Sequence, residues 1–596
     1  MTDIEAAEPE SVGPEPTGGG LAKPESAGPA VIVTPWYPNR RNPTAGSFVR
    51  DWARALALPP DQVTVVHLEM VPPGDPAEPE RRQTPQGAVW WIPVKVGDNL
   101  PRAQAAEAQL AALTPDAIAA IQAAAVVWGH VTMPSGWAVS QVLREGQRLI
   151  LVEHASYVPQ LLGRADSRAK FGQAVRRAAA VLTAGELTAD QIRRAFPADR
   201  GKVWAVGNPV DGSEFRFAPR EAPAELSHWL YVGNLYAAKG VARVVEAFAA
   251  YCADNARSAD GARQASRRPT LTLVGRGGEE ANLRQLSRRL GVGEQVKFSG
   301  PLDKPAVART MASADIQVHL SPGETFGLAP LEGLLTGLPL VVARNAGTSQ
   351  TMGPAVRAGR AVMVEPPKAG AKGAAKVAEA VRRLERRLAE AGPEAALEVR
   401  RAIVHRYGLA DFGAMERRVA DGSAPYEAPD PQLRPLVAVA LSRAAWDELA
   451  DQVRAALWEG RPVTAAVAKA ELAAGADPRV NVAELSAASQ VGAGLARWLW
   501  LAIGGPFAIY RRALAVLAKA PGPPGRLVTA WRRTASDKAA ALNAFNRSRL
   551  EPAVLRWAAT NSAVAAQAAA VKAISPPGAE IATARADPEG LRQALA

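Results

Sequence analysis

Short, almost unbroken apolar runs alternating with amphipathic stretches constrain the fold of this chain more than any other feature. VIVTPWYP (Val31 to Pro38), VTVVHLEM (Val63 to Met70), AAVVWGH (Ala124 to His130), RLILVEH (Arg148 to His154), AAVLTAG (Ala179 to Gly185) and KVWAVGNPVD (Lys202 to Asp211) show little polar alternation. A strand that is apolar on both faces needs cover on both faces, the condition of a parallel strand between two layers of helices. Segments such as FVRDWARALAL (Phe48 to Leu58), apolar at three- and four-residue intervals, supply those helices. A second series runs from HWLYVGNL (His228 to Leu235) through LTLVGRG, VKFSG, IQVHLS and LPLVVAR to AVMVEPP (Ala361 to Pro367). The repeat predicts an α/β chain with two doubly wound sheets. At 596 residues the chain exceeds the size at which one core keeps growing.

Two such domains facing each other place the carboxyl ends of both sheets at a shared cleft, the usual ligand site of open parallel sheets. The first is expected over residues 31–205 and the second over 206–421, closed by a charged helix at Lys376 to Ala391 and a further helical stretch at His405 to Asp421. Asp254 to Pro269, polar and Arg-rich, reads as an inserted loop. Residues 1–30, acidic and rich in Pro and Gly, read as a disordered leader without the basic and apolar regions of a signal peptide. Beyond Ser423 the composition shifts to Ala, Pro and Trp. Residues 422–490 read as a mostly helical extension, 491–575 as a basic, aromatic, amphipathic helical region, and 576–596 as a disordered tail.

The net charge of +12 is concentrated. Twelve Lys and Arg stand against Asp537 and Glu551 between Val491 and Ser575, and the nearly neutral remainder argues against a nucleic-acid-binding body. Trp498, Trp500, Phe507 and Tyr510 with Arg497, Arg511 and Arg512 at the edges suit a segment lying on an anionic membrane surface. A helical subdomain with those Trp residues in its core is one competing reading, and binding of nucleic acid or another anionic polymer by the basic excess is the other. No window holds the roughly 18 consecutive apolar residues that span a bilayer. The one cysteine, Cys252, cannot form an internal disulfide, which fits a reducing compartment. The expected location is cytoplasmic, at the inner face of the cell membrane if the tail docks there.

The chemistry concentrates in SPGETFGLAPLEGLLTGLPLVVARNAG (Ser321 to Gly347). Glu324 follows a strand and precedes a helix, with Glu332 eight positions on. The intervening loop offers amides to an anion at a helix N-terminus, while the carboxylates accept from hydroxyls. Sugar, ribose and diphosphate match that set of donors and acceptors.

Over residues 31 to 421 the chain resembles glycosyltransferase family 4, whose members share the GT-B fold of two Rossmann-like domains. The resemblance rests on motifs in the family's order. WYPNRRNPTAGSFV is similar to the Gly-containing loop near the transferred sugar, GNPVDGSEF to the segment between domains, and YVGNLYAAKG to the first donor loop. LTLVGRGGE, VKFSG and the paired-glutamate block follow in turn. The resemblance implies a retaining, hexosyltransferase-like enzyme that uses a nucleotide-diphosphate sugar without a metal or other cofactor. It implies that Glu324 contacts the donor sugar, Glu332 the ribose hydroxyls and Lys239 the diphosphate. Phe326, Gly327 and Leu328 line the donor site, as does Gly46. His154 faces the donor sugar as a catalytic residue, with His130 a candidate on the acceptor side. The family usually has Arg at Asn234, so one cation is missing, and Arg276 or Arg344 is the candidate substitute. The acceptor is not readable; a membrane-bound tail would suit a lipid-linked or cell-envelope acceptor. The rival reading is an inactive GT-B scaffold working through its basic tail, with an epimerase or phosphorylase ranked below both.

Overall fold

A computed structural model of the chain describes residues 29–97, 100–218, 225–259, 268–392 and 394–426, with shorter stretches at 436–440, 449, 453, 456–457, 462–467, 475–484 and 580–583. The chain divides into two compact units, residues up to 185 with 206–425 and residues 186–205 with 426 onward.

The first unit holds two sheets. One contains β1 (Ala30–Thr34), β2 (Val63–Val71), β3 (Glu80–Thr84), β4 (Gly87–Lys95), β5 (Val126–His130), β6 (Arg148–Glu153) and β7 (Ala180–Thr183), in the order β3-β4-β2-β1-β5-β6-β7. All pair in parallel except β3, which forms an antiparallel hairpin with β4. The short strand β8 (Val203–Ala205) falls in the second unit. The other sheet is wholly parallel: β9 (His228–Val232), β10 (Thr270–Val274), β11 (Val296–Gly300), β12 (Ile316–His319), β13 (Leu340–Ala343) and β14 (Ala361–Val364), ordered β11-β10-β9-β12-β13-β14. Its core is built from Trp229, Tyr231, Phe248, Tyr251, Leu271 and Val318.

Strands β1, β7, β12 and β13 are buried along their whole length, as their unbroken apolar runs require, and β5 is buried at all but its first residue. The polar run Glu80–Thr84 gives no such signal, because an edge strand meets solvent and needs no apolar faces. Strand order reverses between β1 and β5 in the first sheet and between β9 and β12 in the second. Loops leaving two such strands part in opposite directions and open a crevice at the carboxyl ends.

The two halves of this unit meet along the helix Ser47–Ala55. Its buried face presents Val49, Trp52 and Ala53 at helical spacing. Trp52 packs edge-on against Phe412 of the helix Leu409–Ala420, with centroids 4.8 Å apart. It also donates through Nε1 to Asn208 Oδ1 in the connecting segment, at 3.2 Å. Two residues further along the helix, Arg54 pairs with Asp211 of the same segment at 2.7 Å. Across the seam Asp51 pairs with Lys304, the first residue of the helix Lys304–Ser313. At the cleft, a Cβ on Gly185 would come within 2.2 Å of the Thr325 carbonyl, so the ends of the two sheets touch there.

The second unit overturns an expectation. Residues 422–490 carry β15 (Leu436–Ala440), β16 (Val463–Val467) and β17 (Val480–Glu484), and β18 (Glu580–Thr583) lies in the stretch expected to be a disordered tail. The four pair in parallel in the order β17-β16-β15-β18. LVAVA and VTAAV are rich in Ala, which favours helices locally, whereas pairing with a strand some 140 residues later is a non-local term that propensity does not register. The helix Glu186–Ala195 and β8 belong to this unit rather than to a first domain running to residue 205, and Ala30 opens β1 rather than closing a leader. Fully buried Arg193 explains the attachment: its Nε donates to the Val203 carbonyl and its Nη1 to the Gly475 carbonyl, both at 2.9 Å, and it pairs with Glu186 at 2.6 Å. The expectations for the basic region 491–575 and for residues 1–28 lie outside the described residues. No described helix is long and apolar enough to cross a membrane.

A Cβ added to Gly413 would sit 1.8 Å from the Ala55 carbonyl, so the helices Ser47–Ala55 and Leu409–Ala420 meet at backbone distance. Helix propensity alone would make Gly413→Ala stabilising by roughly 0.5–1 kcal/mol. Overpacking of about 1–3 kcal/mol should reverse that sign and lower Tm, while Gly74→Ala, where nothing lies within 4 Å, should leave it unchanged. A Tm of Gly413→Ala at or above wild type would refute the packing.

Candidate functional site

At the switch point of the second sheet, the loop after β9 folds down onto the loop after β12. Gly240 makes this approach feasible, because its φ of 66° is left-handed and a Cβ there would stand 2.4 Å from the Leu320 carbonyl. Lys239 is thereby held over Glu324, its Nζ 2.8 Å from Oε1 and 3.0 Å from Oε2. His319, the last residue of β12, places Nε2 3.0 Å from the same Oε1. Its ring is stacked on Tyr231, with centroids 5.6 Å apart and planes 7° from parallel. The backbone of Glu324 is fixed in turn, its carbonyl accepting from Gly347 N at 2.9 Å. Burial by itself would raise the Glu324 carboxyl, but the hydrogen bond and charge of His319, with the Lys239 ammonium, outweigh it and bring it down to about 2.

His319 is not among the residues singled out in the sequence. The signal was present, since it ends a strand as His130 does, five positions before Glu324.

The loop after β10 interlocks with the loop after β9. Leu235 N donates to the Arg276 carbonyl and Glu279 N to the Leu235 carbonyl, at 2.9 and 3.0 Å, which brings Arg276 alongside Asn234. The Asn234 carbonyl accepts from the Tyr231 hydroxyl at 3.0 Å, and its side chain is exposed. Arg276 is also exposed and has no side-chain partner among the described residues. Arg344, by contrast, donates through Nε to Glu365 at 3.1 Å.

Gly327 caps the helix Leu328–Leu335 with φ 88°, and no side chain caps that end. The amides of Thr325, Phe326 and Gly327 donate to no acceptor among the described residues. Together they form a turn of free N–H groups at a helix N-terminus, suited to an anion. The Phe326 ring points into the core against Tyr407, 5.0 Å away, so Phe326 can serve a ligand only through its backbone. Leu328, at the first position of the helix, remains partly exposed.

Glu332 on the same helix stands in the field of the seam between the halves. Burial raises its carboxyl to about 7; Lys304 lowers it, while Asp51 and Glu214 raise it. No group of three or more potential ligands for a metal occurs among the described residues.

The first sheet contributes a second cluster at its own switch point. Gly46, at φ 59°, begins the helix Ser47–Ala55, and a Cβ there would lie 2.4 Å from the Trp36 carbonyl carbon and oxygen; the glycine is required by the turn itself. Phe48, two residues on, packs on His154 at 4.7 Å. His154, just beyond β6, places Nε2 3.0 Å from Nδ1 of His130 at the end of β5, and Trp52 stands edge-on to both rings. Burial pushes His154 down to about 3, opposed by Asn208, and holds His130 well below the usual imidazole range. His130 was expected on the acceptor side, yet it has no exposed surface, so in this structure it touches His154 rather than a substrate.

Glu153, the last residue of β6, accepts from Ala155 N at 2.7 Å and Thr132 N at 3.0 Å, tying together the turns after β5 and β6. Burial raises its carboxyl to about 7.

Residues 45–214 match the family model described as Glycosyltransferase Family 4, and residues 214–395 the one described as Glycosyl transferases group 1. The chain is 31% identical over 173 residues to the D-inositol 3-phosphate glycosyltransferase 2 of Catenulispora acidiphila, covering 27% of this chain and 38% of that one. It is 30% identical over 181 residues to a glycogen synthase of Mycobacterium tuberculosis, covering 30% and 40%. The chain thus spans about two fifths of the length of these curated relatives. Among solved structures, a sucrose-phosphate synthase from Thermosynechococcus elongatus superposes with a TM-score of 0.49 at 18% identity, over 66% of this chain and 100% of that one.

The depressed carboxyl of Glu324 has a consequence for stability. Its folded value of about 2 lies below the ordinary 4.5, so its ionised form stabilises the fold above pH 4.5, and that contribution fades as the pH falls towards 2. Lys239→Met should lower Tm at pH 7 by about 2–4 °C, the shift that ~1 kcal/mol produces in a domain of this size, and the gap should narrow by pH 3. Equal gaps at both pH values would show that the ion pair adds nothing.

Proposed function

The chain belongs to the GT-B glycosyltransferases of the group 1 and family 4 type, and on that premise we propose that it is a retaining enzyme transferring a sugar from a nucleotide-diphosphate sugar. The observation that carries this reading is the Lys239–Glu324–His319 cluster, set beside free amides at the switch point of the second sheet. Glu324, kept ionised, accepts hydrogen bonds from the donor sugar's hydroxyls. Lys239 and Arg276, with the amides of Thr325 to Leu328, take the diphosphate. As the bond to the sugar breaks, charge develops on the leaving phosphate, and fixed cations and amides stabilise it where another enzyme would use a metal. Arg276 fills the role left open at Asn234, because the interlocked loops carry its unpaired guanidinium to that place.

Glu332 accepts from the ribose hydroxyls, with Lys304 favouring its ionised form. His154, beyond β6 and against Phe48, faces the transferred sugar. Gly46 contributes by shaping the loop that borders it. We assign no described side chain as a nucleophile: in this reading the acceptor attacks from the face the phosphate leaves, and catalysis is positioning and electrostatics. The acceptor is a lipid-linked or cell-envelope molecule if the basic region 491–575 docks on an anionic membrane at the inner face of the cell membrane.

A scaffold without activity is the second reading. The specific observation in its favour is that Lys239 and Glu324 neutralise each other, leaving Arg276 as the cation at the donor loops.

Hydrolysis of UDP-, GDP- and ADP-glucose by the full chain decides between them, with the anomer of the released sugar read by NMR. Wild type should turn over one of these donors with retention, and Glu324→Gln should lower kcat by about 100-fold or more, the size of effect seen when one preorganised polar contact is lost. Equal signals from both proteins favour the scaffold, and an inverted product excludes the retaining mechanism.

A further inference from the structure

Lys239 has two claims on its one charge. In the structure its Nζ holds both carboxylate oxygens of Glu324, at 2.8 and 3.0 Å, whereas the donor reading gives it to a diphosphate. When the ammonium turns to phosphate, Glu324 loses two of the three hydrogen bonds its carboxylate makes among the described residues, and the third comes from His319. We propose that His319 is a positioning residue for Glu324: it holds Oε1 in place when Lys239 leaves, so that Oε2 is the oxygen that accepts from a hydroxyl of the donor sugar. This assignment rests on the reading of Glu324 as a donor-sugar contact and adds to it the group that orients the carboxylate.

The direction of the His319 bond is set by its partner. A carboxylate bridged on both oxygens by an ammonium is ionised and can only accept, so Nε2 of His319 carries the hydrogen. The other ring nitrogen, Nδ1, is buried without a hydrogen-bond partner, so the ring reaches Glu324 and no ligand. Each carboxylate oxygen has two lone pairs. Oε1 accepts from both Lys239 and His319, and Oε2 from Lys239 alone. Departure of Lys239 therefore opens both lone pairs of Oε2 while Oε1 keeps one bond.

Of the two contacts, His319 is the stiff one. The Lys239 side chain is 33% exposed on a flexible stem, that of His319 only 5% exposed. The backbone of His319 lies in the sheet beside Val342 of β13, and its ring is stacked on Tyr231, whose hydroxyl is tied to the Asn234 carbonyl. The loop that carries Glu324 is held as well, since the Ser321 carbonyl accepts from Asn345 Nδ2 and the Glu324 carbonyl from Gly347 N, both at 2.9 Å. What is left to fix is the Glu324 side chain itself, and His319 is the immobile group that touches it. The electrostatics agree: burial would raise the carboxyl, and His319 opposes that rise more strongly than Lys239 does.

The test separates the hydrogen bond from the packing. His319→Phe keeps an aromatic ring against Tyr231 and removes the donor, while His319→Met and His319→Gln are close in size and differ in that only the amide can donate near the Nε2 position. The full chain is assayed with UDP, GDP and ADP and with their glucose conjugates. For the base that wild type accepts, His319→Phe and His319→Met should lower kcat/KM for donor hydrolysis about tenfold or more, the scale on which a displaced contact acts. Affinity for the sugar-free nucleoside diphosphate, read by calorimetry, should stay at the wild-type value, and His319→Gln should recover most of the lost activity. If His319→Phe fails to fold, the other two variants carry the comparison. Equal activity of His319→Met and His319→Gln overturns the assignment, because the hydrogen bond then contributes nothing. A matching loss of affinity for the sugar-free diphosphate also overturns it, because His319 then supports the whole loop. A wild type that turns over no donor defeats the donor reading and this assignment with it; an active wild type with unaltered His319→Phe and His319→Met defeats the assignment alone.

Discussion

The seating of Trp52 is the contact on which the arrangement of the first unit depends. One indole, almost wholly buried, touches the connecting segment through Asn208, the returning helix through Phe412, and the ends of two strands through His130 and His154. It is apolar enough to draw the helices Ser47–Ala55 and Leu409–Ala420 together and carries a single N–H that Asn208 satisfies. A side chain contacting both halves of a two-domain unit makes their relative position part of the site. Arg54 with Asp211, and Asp51 with Lys304, add charge to the same seam.

The two sheets place their polar residues by one rule. In each, the strands flanking the reversal of strand order end in the groups that matter: β1 leads to Gly46 and β5 ends at His130, while β9 leads to Lys239 and β12 ends at His319. The electrostatic outcomes differ because the surroundings differ. In the second sheet a carboxylate meets an ammonium and an imidazole, and attraction overcomes burial, so Glu324 stays ionised. In the first sheet two imidazoles meet each other among aromatic rings, and burial keeps both neutral. One half thus holds a charged cluster at its switch point and the other a neutral one.

Legibility followed the range of the interactions. Buried parallel strands announce themselves, since covering both faces demands apolar residues at every position, and β1, β5, β6, β12 and β13 were all readable. The edge strand β3 and the sheet of the second unit were not. A polar edge needs no apolar pattern, and Ala-rich β15 and β16 read as helix until their partners are known. Among the site residues, Glu324 and Lys239 were found through their motifs and prove to be in contact. His319 was overlooked because a lone histidine at a strand end has a bland explanation, and only its stacking on Tyr231 and its bond to Glu324 lift it above that.

The sequence by itself determined the class of fold, its two parallel sheets and the loops that carry the polar residues, because strand burial and turn chemistry are encoded locally. Only the tertiary structure decided which of those residues meet. It turned His130 inward onto His154, paired Lys239 with Glu324, brought Arg276 beside Asn234 and joined residues 186–205 to the C-terminal sheet. Those outcomes depend on contacts between segments tens to hundreds of positions apart, fixed by the packing of whole helices and sheets, and no local pattern specifies them.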